Sequence, residues 1–389
     1  MRTAAAEDLL ASLVAERGAA NEAFFGAEAD RLARLCHELA ERFARSGRLI
    51  ALADTPAARS DARHVAVEFV HPVIVGKRAL PALALTDGPL TEQVALMARG
   101  EDIVIGFGPG VSPAVESARG RGCLTLGFAA DSGAEHVFVP PSRDPDVCQE
   151  LVETLYHVLW ELVHVFFDHR GLLRDRAPRA VHDAGASSFL YPFLDEREDA
   201  LEPVVRDVRD SVLMKAEETG ALRVQTMTEN RATLVAAAAA LRAAFQQGGK
   251  LLALGNGGSA TDAMDVVADF IAGPTPRAAI DLSADSGIIT AVANDIGTEA
   301  IFLRQVIAYG EPGDALLALS TSGNSRNVVA ALAEARRRGL LTVAMVGYDG
   351  GAIAADALAD HVIVTRSDHI PRIQEAQATA YHALRRLVA

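Results

Sequence analysis

Ser320-Thr321-Ser322-Gly323-Asn324-Ser325 places four hydroxyls in six residues, between an apolar run and the start of a helix. Hydroxyls and backbone N–H groups donate there, and the positive end of a helix dipole favours an anion. The segment therefore has the chemistry of a neutral phosphate cradle. N-capping explains one Ser or Thr, not four. Gly255-Asn256-Gly257-Gly258-Ser259 sits at the same kind of strand-to-helix junction. Its glycines let a ligand approach the backbone, although a plain tight turn reads the same way. No Gly-Lys-Ser/Thr follows either segment, which argues against nucleotide hydrolysis.

A second set of residues could move protons or hold a metal. His64 and Glu68 are spaced i, i+4 on one predicted helix face. Gln149 and His157 share a later helix, and Gln374 and His382 repeat that spacing near the C-terminus. Asp265 and Asp269 stand in the second half where His64 and Glu68 stand in the first. Asp reaches less far and is a harder ligand, better suited to Mg or Mn than to zinc. Gln149 and His157 are separated by about 12 Å along a helix axis and point about 80° apart. That spacing strains a shared metal and favours sites shared across a domain or subunit interface.

These correspondences come from a duplication. Ser60-Asp61-Ala62-Arg63-His64-Val65-Ala66-Val67-Glu68-Phe69 is echoed by Thr261-Asp262-Ala263-Met264-Asp265-Val266-Val267-Ala268-Asp269-Phe270, and Q-E-x3-T-x-Y-H occurs at Gln149–His157 and at Gln374–His382. Two spaced matches in one order imply a repeated domain. Each half reads as strands alternating with helices, which predicts an α/β fold with a doubly wound parallel sheet. Helices are expected over 20–46, 57–70 and 144–167, then over 196–220, 226–247 and 370–387. Apolar strands are expected at 48–53, 80–86, 101–106, 123–128 and 136–139, then at 250–254, 278–283, 314–319, 341–346 and 361–364. The predicted organisation is 1–170, a connector at 171–195, and 196–389. The connector carries the aromatic cluster Phe189-Leu190-Tyr191-Pro192-Phe193, read as packing.

The chain has 389 residues, half of them apolar, and a net charge of −14. That charge, with no Lys/Arg run, argues against nucleic acid and anionic membrane as partners. No run reaches the ~18 apolar residues of a membrane helix. Cys36, Cys123 and Cys148 form neither a disulfide framework nor a zinc pair, so a cytoplasmic protein is expected.

The second half resembles a sugar isomerase (SIS) domain, specifically the phosphoheptose isomerases. The text that carries this is GNGGSATDAM at 255–264, SADSGIITAVANDIG at 283–297, STSGNS at 320–325, PRIQE at 371–375, and His382. It spans roughly residues 200–389; the first half resembles the family more weakly, over about 20–168. The resemblance implies two tandem SIS domains and isomerisation of sedoheptulose 7-phosphate or a related ketose phosphate, often with zinc. It implies phosphate contacts at Ser320, Thr321, Ser322 and Ser325. Sugar contacts fall at Asn256, Ser259 and Asp285, with Gly257 and Gly258 in the same loop. The family's metal quartet of His, Glu, Gln and His maps onto His64, Glu68, Gln149 and His157. In the second half only Gln374 and His382 match it, beside Asp265 and Asp269. Glu68, His157 and His382 are the expected acid–base residues. A homo-oligomer, a dimer of pseudo-dimers, suits a family with interfacial sites. The eroded first-half loops, Asp54–Ala58 and Gly106–Gly110, keep a rival open: a non-catalytic sugar-phosphate sensor or adaptor.

Overall fold

A computed structural model describes residues 3–73, 77–169, 172–173 and 200–389. The first half runs α1 (Thr3–Ala44), β1 (Leu49–Ala53), α2 (Pro56–Val70), β2 (Ala82–Leu85), α3 (Leu90–Met97), β3 (Ile103–Phe107), α4 (Ser112–Gly120), β4 (Leu124–Gly127), β5 (His136–Val137) and α5 (Pro145–Asp168). The second half runs α6 (Leu201–Glu229), α7 (Arg231–Gln246), β6 (Leu251–Leu254), α8 (Gly258–Ala272), β7 (Ala279–Asp281), α9 (Ser286–Asp295) and α10 (Ile301–Tyr309). It ends with β8 (Ala315–Ser320), α11 (Arg326–Arg337), β9 (Leu341–Gly347), α12 (Gly351–Ala355), β10 (His361–Thr365) and α13 (Ile370–Val388).

The strands pair in parallel as two five-stranded sheets, ordered β2-β1-β3-β4-β5 and β10-β9-β8-β6-β7. Alternation of side chains along each strand assigns the cores. Leu49, Ala51 and Ala53 pack with the buried faces of α2 and α5, while Ile50 and Leu52 pack with Val94 of α3 and Val115 of α4. The second sheet does the same. Leu251 and Ala253 join α7, α8 and α13; Leu252 and Leu254 join α10 and α11. Both faces are buried, so these strands read as continuous apolar runs. Burying each such leucine stabilises by about 1.5–3 kcal/mol.

By internal packing the chain divides into a first unit, Ala20–Glu217, and a second, Met1–Ala19 with Glu218–Ala389. These bounds differ from the expected 1–170 and 196–389. The reason is that α1 and α6 are longer than their patterns indicated, and each continues through a boundary. Residues 3–19 alternate Ala and Leu with charge, a composition of strong helix formers, and they extend α1 back to Thr3. At the other end α6 stops at Asn230, whose side chain pairs with the backbone of Val364 in β10, accepting at 2.9 Å and donating at 2.8 Å. That pairing satisfies part of an edge strand. Most of the expected connector, including Phe189–Phe193, lies outside the described residues. No helix among the described residues is long and apolar enough to cross a membrane.

Candidate functional site

Each sheet order reverses once, between β1 and β3 in the first unit and between β6 and β8 in the second. In open α/β sheets, ligands bind at that reversal, outside the carboxyl ends of the strands. In the second unit the two loops found there are Gly255–Gly257 after β6 and the hydroxyl-rich loop after β8. Both are shaped by glycine. A Cβ on Gly255 would meet Ser259 O at 2.1 Å, and one on Gly323, whose φ is +63°, would meet Gly350 O at 2.1 Å.

The four hydroxyls divide their work. Ser320 Oγ accepts from Gly323 N–H and Ser322 Oγ accepts from Asn324 N–H, both at 3.2 Å, so these two brace the loop. Ser325 is the N-cap of α11 but makes no side-chain capping bond. Among the described residues neither Thr321 Oγ1 nor Ser325 Oγ is committed to the loop's own hydrogen bonds, so both remain for a ligand ahead of α11. Asn256 is exposed on the neighbouring loop, and Ser259 is buried in the first turn of α8. Asp285 follows β7 at the same end of the sheet, where one of its oxygens caps α9 by accepting from Ile288 N–H at 2.9 Å. A cavity of about 520 Å³ opens against the hydroxyl loop, lined by Ser322, Asn324, Tyr348, Asp349 and Asp368. The sequence reading passed over the last three and also Asn327, which forms a reciprocal amide pair with Asn256.

At the equivalent reversal of the first unit an anion is already built in. Asp54 Oδ2 accepts from Gly110 N–H at 2.8 Å. A Cβ on Gly108 would lie 2.3 Å from Asp54 Oδ1. The carboxylate therefore takes up the backbone donor that a phosphate would use, and no serine or threonine side chain stands in Gly106–Gly110 to hold a second anion.

The titratable residues of the first unit meet between α2 and α5. His157 Nε2 lies 3.3 Å from His64 Nε2, and His64 Nε2 lies 3.8 Å from Glu68 Oε1; all three side chains are buried. One ligand atom from each lies within 4.8 Å of the others. Gln149 does not join them in the observed contacts. Its Nε2 donates to Asp61 Oδ1 at 3.1 Å, one turn earlier on α2. Burial holds the His64 imidazole well below its ordinary range, with His157 beside it adding to the effect. Burial also pushes the Glu68 carboxyl up to about 7, against the opposing pull of His157 and with help from Glu161.

This trio fits a zinc ion. Two nitrogens each bound tetrahedrally to zinc stand about 3.3 Å apart. Neutral imidazole is the ligating form, and Glu68 Oε2 is buried with no hydrogen-bond partner. The second-unit set is different. Tyr381 donates to Asp265 Oδ2 at 2.9 Å, and His382 Nε2 lies 3.5 Å from both Asp265 Oδ2 and Asp269 Oδ2. Arg385 Nε lies 3.1 Å from Asp269 Oδ2, an ion pair by distance without hydrogen-bond alignment. With Tyr381 and Arg385 already facing them, these carboxylates are partly neutralised, which makes the set a weaker cation site than the first-unit trio. Gln374 is buried on the same helix as His382. Its PRIQE neighbours are structural: Arg372 pairs with Glu375 at 3.0 Å, and Thr219 of α6 donates to Glu375 at 2.6 Å.

Two doubly wound sheets, with a hydroxyl-rich loop at one reversal, define a two-domain protein of the sugar-isomerase type. The comparisons agree. The SIS domain profile matches residues 216–347. The phosphoheptose isomerase of Chlorobium phaeobacteroides is 44% identical over 202 residues, covering 50% of this chain and 85% of that protein. That of Nitratidesulfovibrio vulgaris is 40% identical over 182 residues, covering 46% and 86%. The chain belongs to the SIS family. A solved C-terminal domain of glucosamine-fructose-6-phosphate aminotransferase from Francisella tularensis covers 98% of this chain and 95% of its own, with a TM-score of 0.61 at 8% identity. That likeness shows the fold alone: two parallel α/β sheets in tandem.

Proposed function

We propose that this protein isomerises a ketose phosphate to the aldose, with sedoheptulose 7-phosphate as the substrate to try first. The observation that carries the reading is the second-unit reversal, where, among the described residues, the Thr321 and Ser325 hydroxyls are not committed to the loop that leads into α11. Phosphate is assigned to Ser320–Ser325, and the sugar chain to Asn256, Ser259 and Asp285. The phosphoheptose isomerase relatives supply the substrate class.

Aldose–ketose isomerisation removes a proton from the carbon beside the carbonyl, passes through an enediol, and returns a proton to the adjacent carbon. A group with a pKa near the working pH does this well. In the metal-free chain burial raises the Glu68 carboxyl to about 7, within that range, and a bound cation beside it would lower it. His157 and His382 are the other acid–base candidates. His64, Glu68 and His157 would hold a zinc ion. When bound, the ion would polarise the carbonyl and stabilise negative charge developing on its oxygen.

Proton NMR of sedoheptulose 7-phosphate with the zinc-loaded protein in D₂O tests the reading. Deuterium entering beside the carbonyl, with aldose signals appearing, supports it. Neither exchange nor turnover, with binding retained, transfers support to a second reading: a non-catalytic sugar-phosphate sensor. One observation favours that alternative. In the unit that carries the cradle, Asp265 and Asp269 are tied to Tyr381 and Arg385.

A further inference from the structure

Asn256 and Asn327 join the two loops of the second-unit reversal. Asn256 Nδ2 donates to Asn327 Oδ1 at 3.0 Å, and Asn327 Nδ2 donates to Asn256 Oδ1 at 2.9 Å. One residue lies on the glycine loop after β6; the other lies in the first turn of α11, directly after the hydroxyl loop. A third bond decides which end of each amide is which. Val328 N–H is shared between the Ser325 carbonyl and Asn327 Oδ1, each at 3.0 Å. A backbone N–H has no acceptor alternative, so it identifies that atom as oxygen, and reciprocity then fixes Asn256.

From this we infer that Asn327 is a positioning residue, holding the Asn256 amide in one of its two orientations for the sugar. The inference rests on the functional reading above. An Asn amide offers two N–H donors and two acceptor lone pairs. The pair uses one of each on Asn256, leaving one N–H and one lone pair in fixed directions. The backbone of Asn256 is held separately, its carbonyl accepting from Ser259 N–H at 3.1 Å. Ser283 braces the adjacent Gly255 from the β7 side. Among the described residues, Asn327 supplies the side-chain hydrogen bonds of Asn256. Without them the amide can rotate by half a turn, exchanging donor for acceptor toward a sugar hydroxyl. Asn256 is exposed and Asn327 half-buried. Hydrogen bonds that compete with water contribute little to stability, so the value of this pair lies in preorganisation.

Calorimetry on the full chain tests this with two probes, inorganic phosphate and sedoheptulose 7-phosphate. The variants are Asn256→Ala, Asn327→Ala and the double variant. Asn327→Ser is the companion variant should Asn327→Ala fold poorly. Asn327→Ala is expected to weaken the sugar phosphate about fivefold, the scale of one hydrogen bond. Inorganic phosphate, held by the hydroxyl loop alone, should stay within about twofold. The double variant should bind sugar phosphate no more weakly than Asn256→Ala, because Asn327 acts only through Asn256. Additive losses, or equal losses for both probes, overturn the inference and leave the functional reading standing. No sugar-phosphate binding by the unsubstituted chain overturns that reading, and this inference with it.

Discussion

Asp54 Oδ2 and the Gly110 N–H are 2.8 Å apart, and through them the first unit closes its own ligand crevice. The second unit leaves the corresponding crevice to hydroxyls and backbone donors. A phosphorylated ligand should therefore bind once per chain. Titration calorimetry with a sugar phosphate is expected to give a stoichiometry near one. Two sites of similar affinity would show that the Asp54 carboxylate yields to phosphate.

The hydroxyl loop makes a sharper prediction, because its four side chains have two jobs. Thr321→Val with Ser325→Ala should weaken sugar-phosphate binding by ~1–3 kcal/mol, the scale of lost charge-assisted hydrogen bonds. Thermal stability should hardly move, since neither hydroxyl braces the loop. Ser320→Ala with Ser322→Ala should weaken binding too, but with a lower Tm, because Gly323 and Asn324 lose their acceptors. If the first pair lowers Tm and spares affinity, the division of roles is reversed.

Much of this was legible from residues close together in the chain. Ser320–Ser325 spans one strand-to-helix junction, so its cradle chemistry could be read locally, and the repeat fixed the counterpart positions in the first half. What the reading missed depends on partners far apart in sequence. Asp54 looked like erosion of a glycine loop because its partner, Gly110, belongs to another crossover. Asn327 carries no local signal, because its partner Asn256 lies beyond two intervening strands. The family quartet puts Gln149 and His157 in one ligand set, although their spacing on α5 strains a shared metal. The structure instead pairs them with successive turns of α2, Gln149 with Asp61 and His157 with His64. Spacing along one helix showed that they diverge, but it could not show which residues of the facing helix receive them.

The contrast between the two titratable clusters predicts metal content. Elemental analysis after dialysis should find about one tight zinc per chain, since among the described residues two imidazole nitrogens face each other in the first unit alone. His64→Asn should abolish that zinc, while Asp269→Asn should retain it. Two equally tight ions would show that Asp265 and Asp269 ligate despite Arg385.

Glu68 gives a prediction in two measurements. Its folded pKa, near 7, lies above the ordinary 4.5. Between those values the metal-free native state holds a proton that the unfolded chain has released. The contribution of Glu68 therefore favours folding below about pH 4.5 and is lost as pH rises through 7. A shift of that size corresponds to roughly 3 kcal/mol. His64, kept neutral by burial, acts in the opposite sense, favouring folding above its ordinary 6.5 and losing that contribution as pH falls. Comparison with Glu68→Gln separates the two. In metal-free protein, the variant should gain stability relative to the parent as pH rises from 4.5 to 7, measured by urea unfolding. A flat difference would mean that Glu68 is not held protonated by its surroundings. The second measurement is turnover. Glu68→Gln keeps the volume and removes the base, so sugar-phosphate affinity should persist while isomerisation is abolished. Retained turnover would move proton transfer to His382, and His382→Asn would then be the variant that is silent.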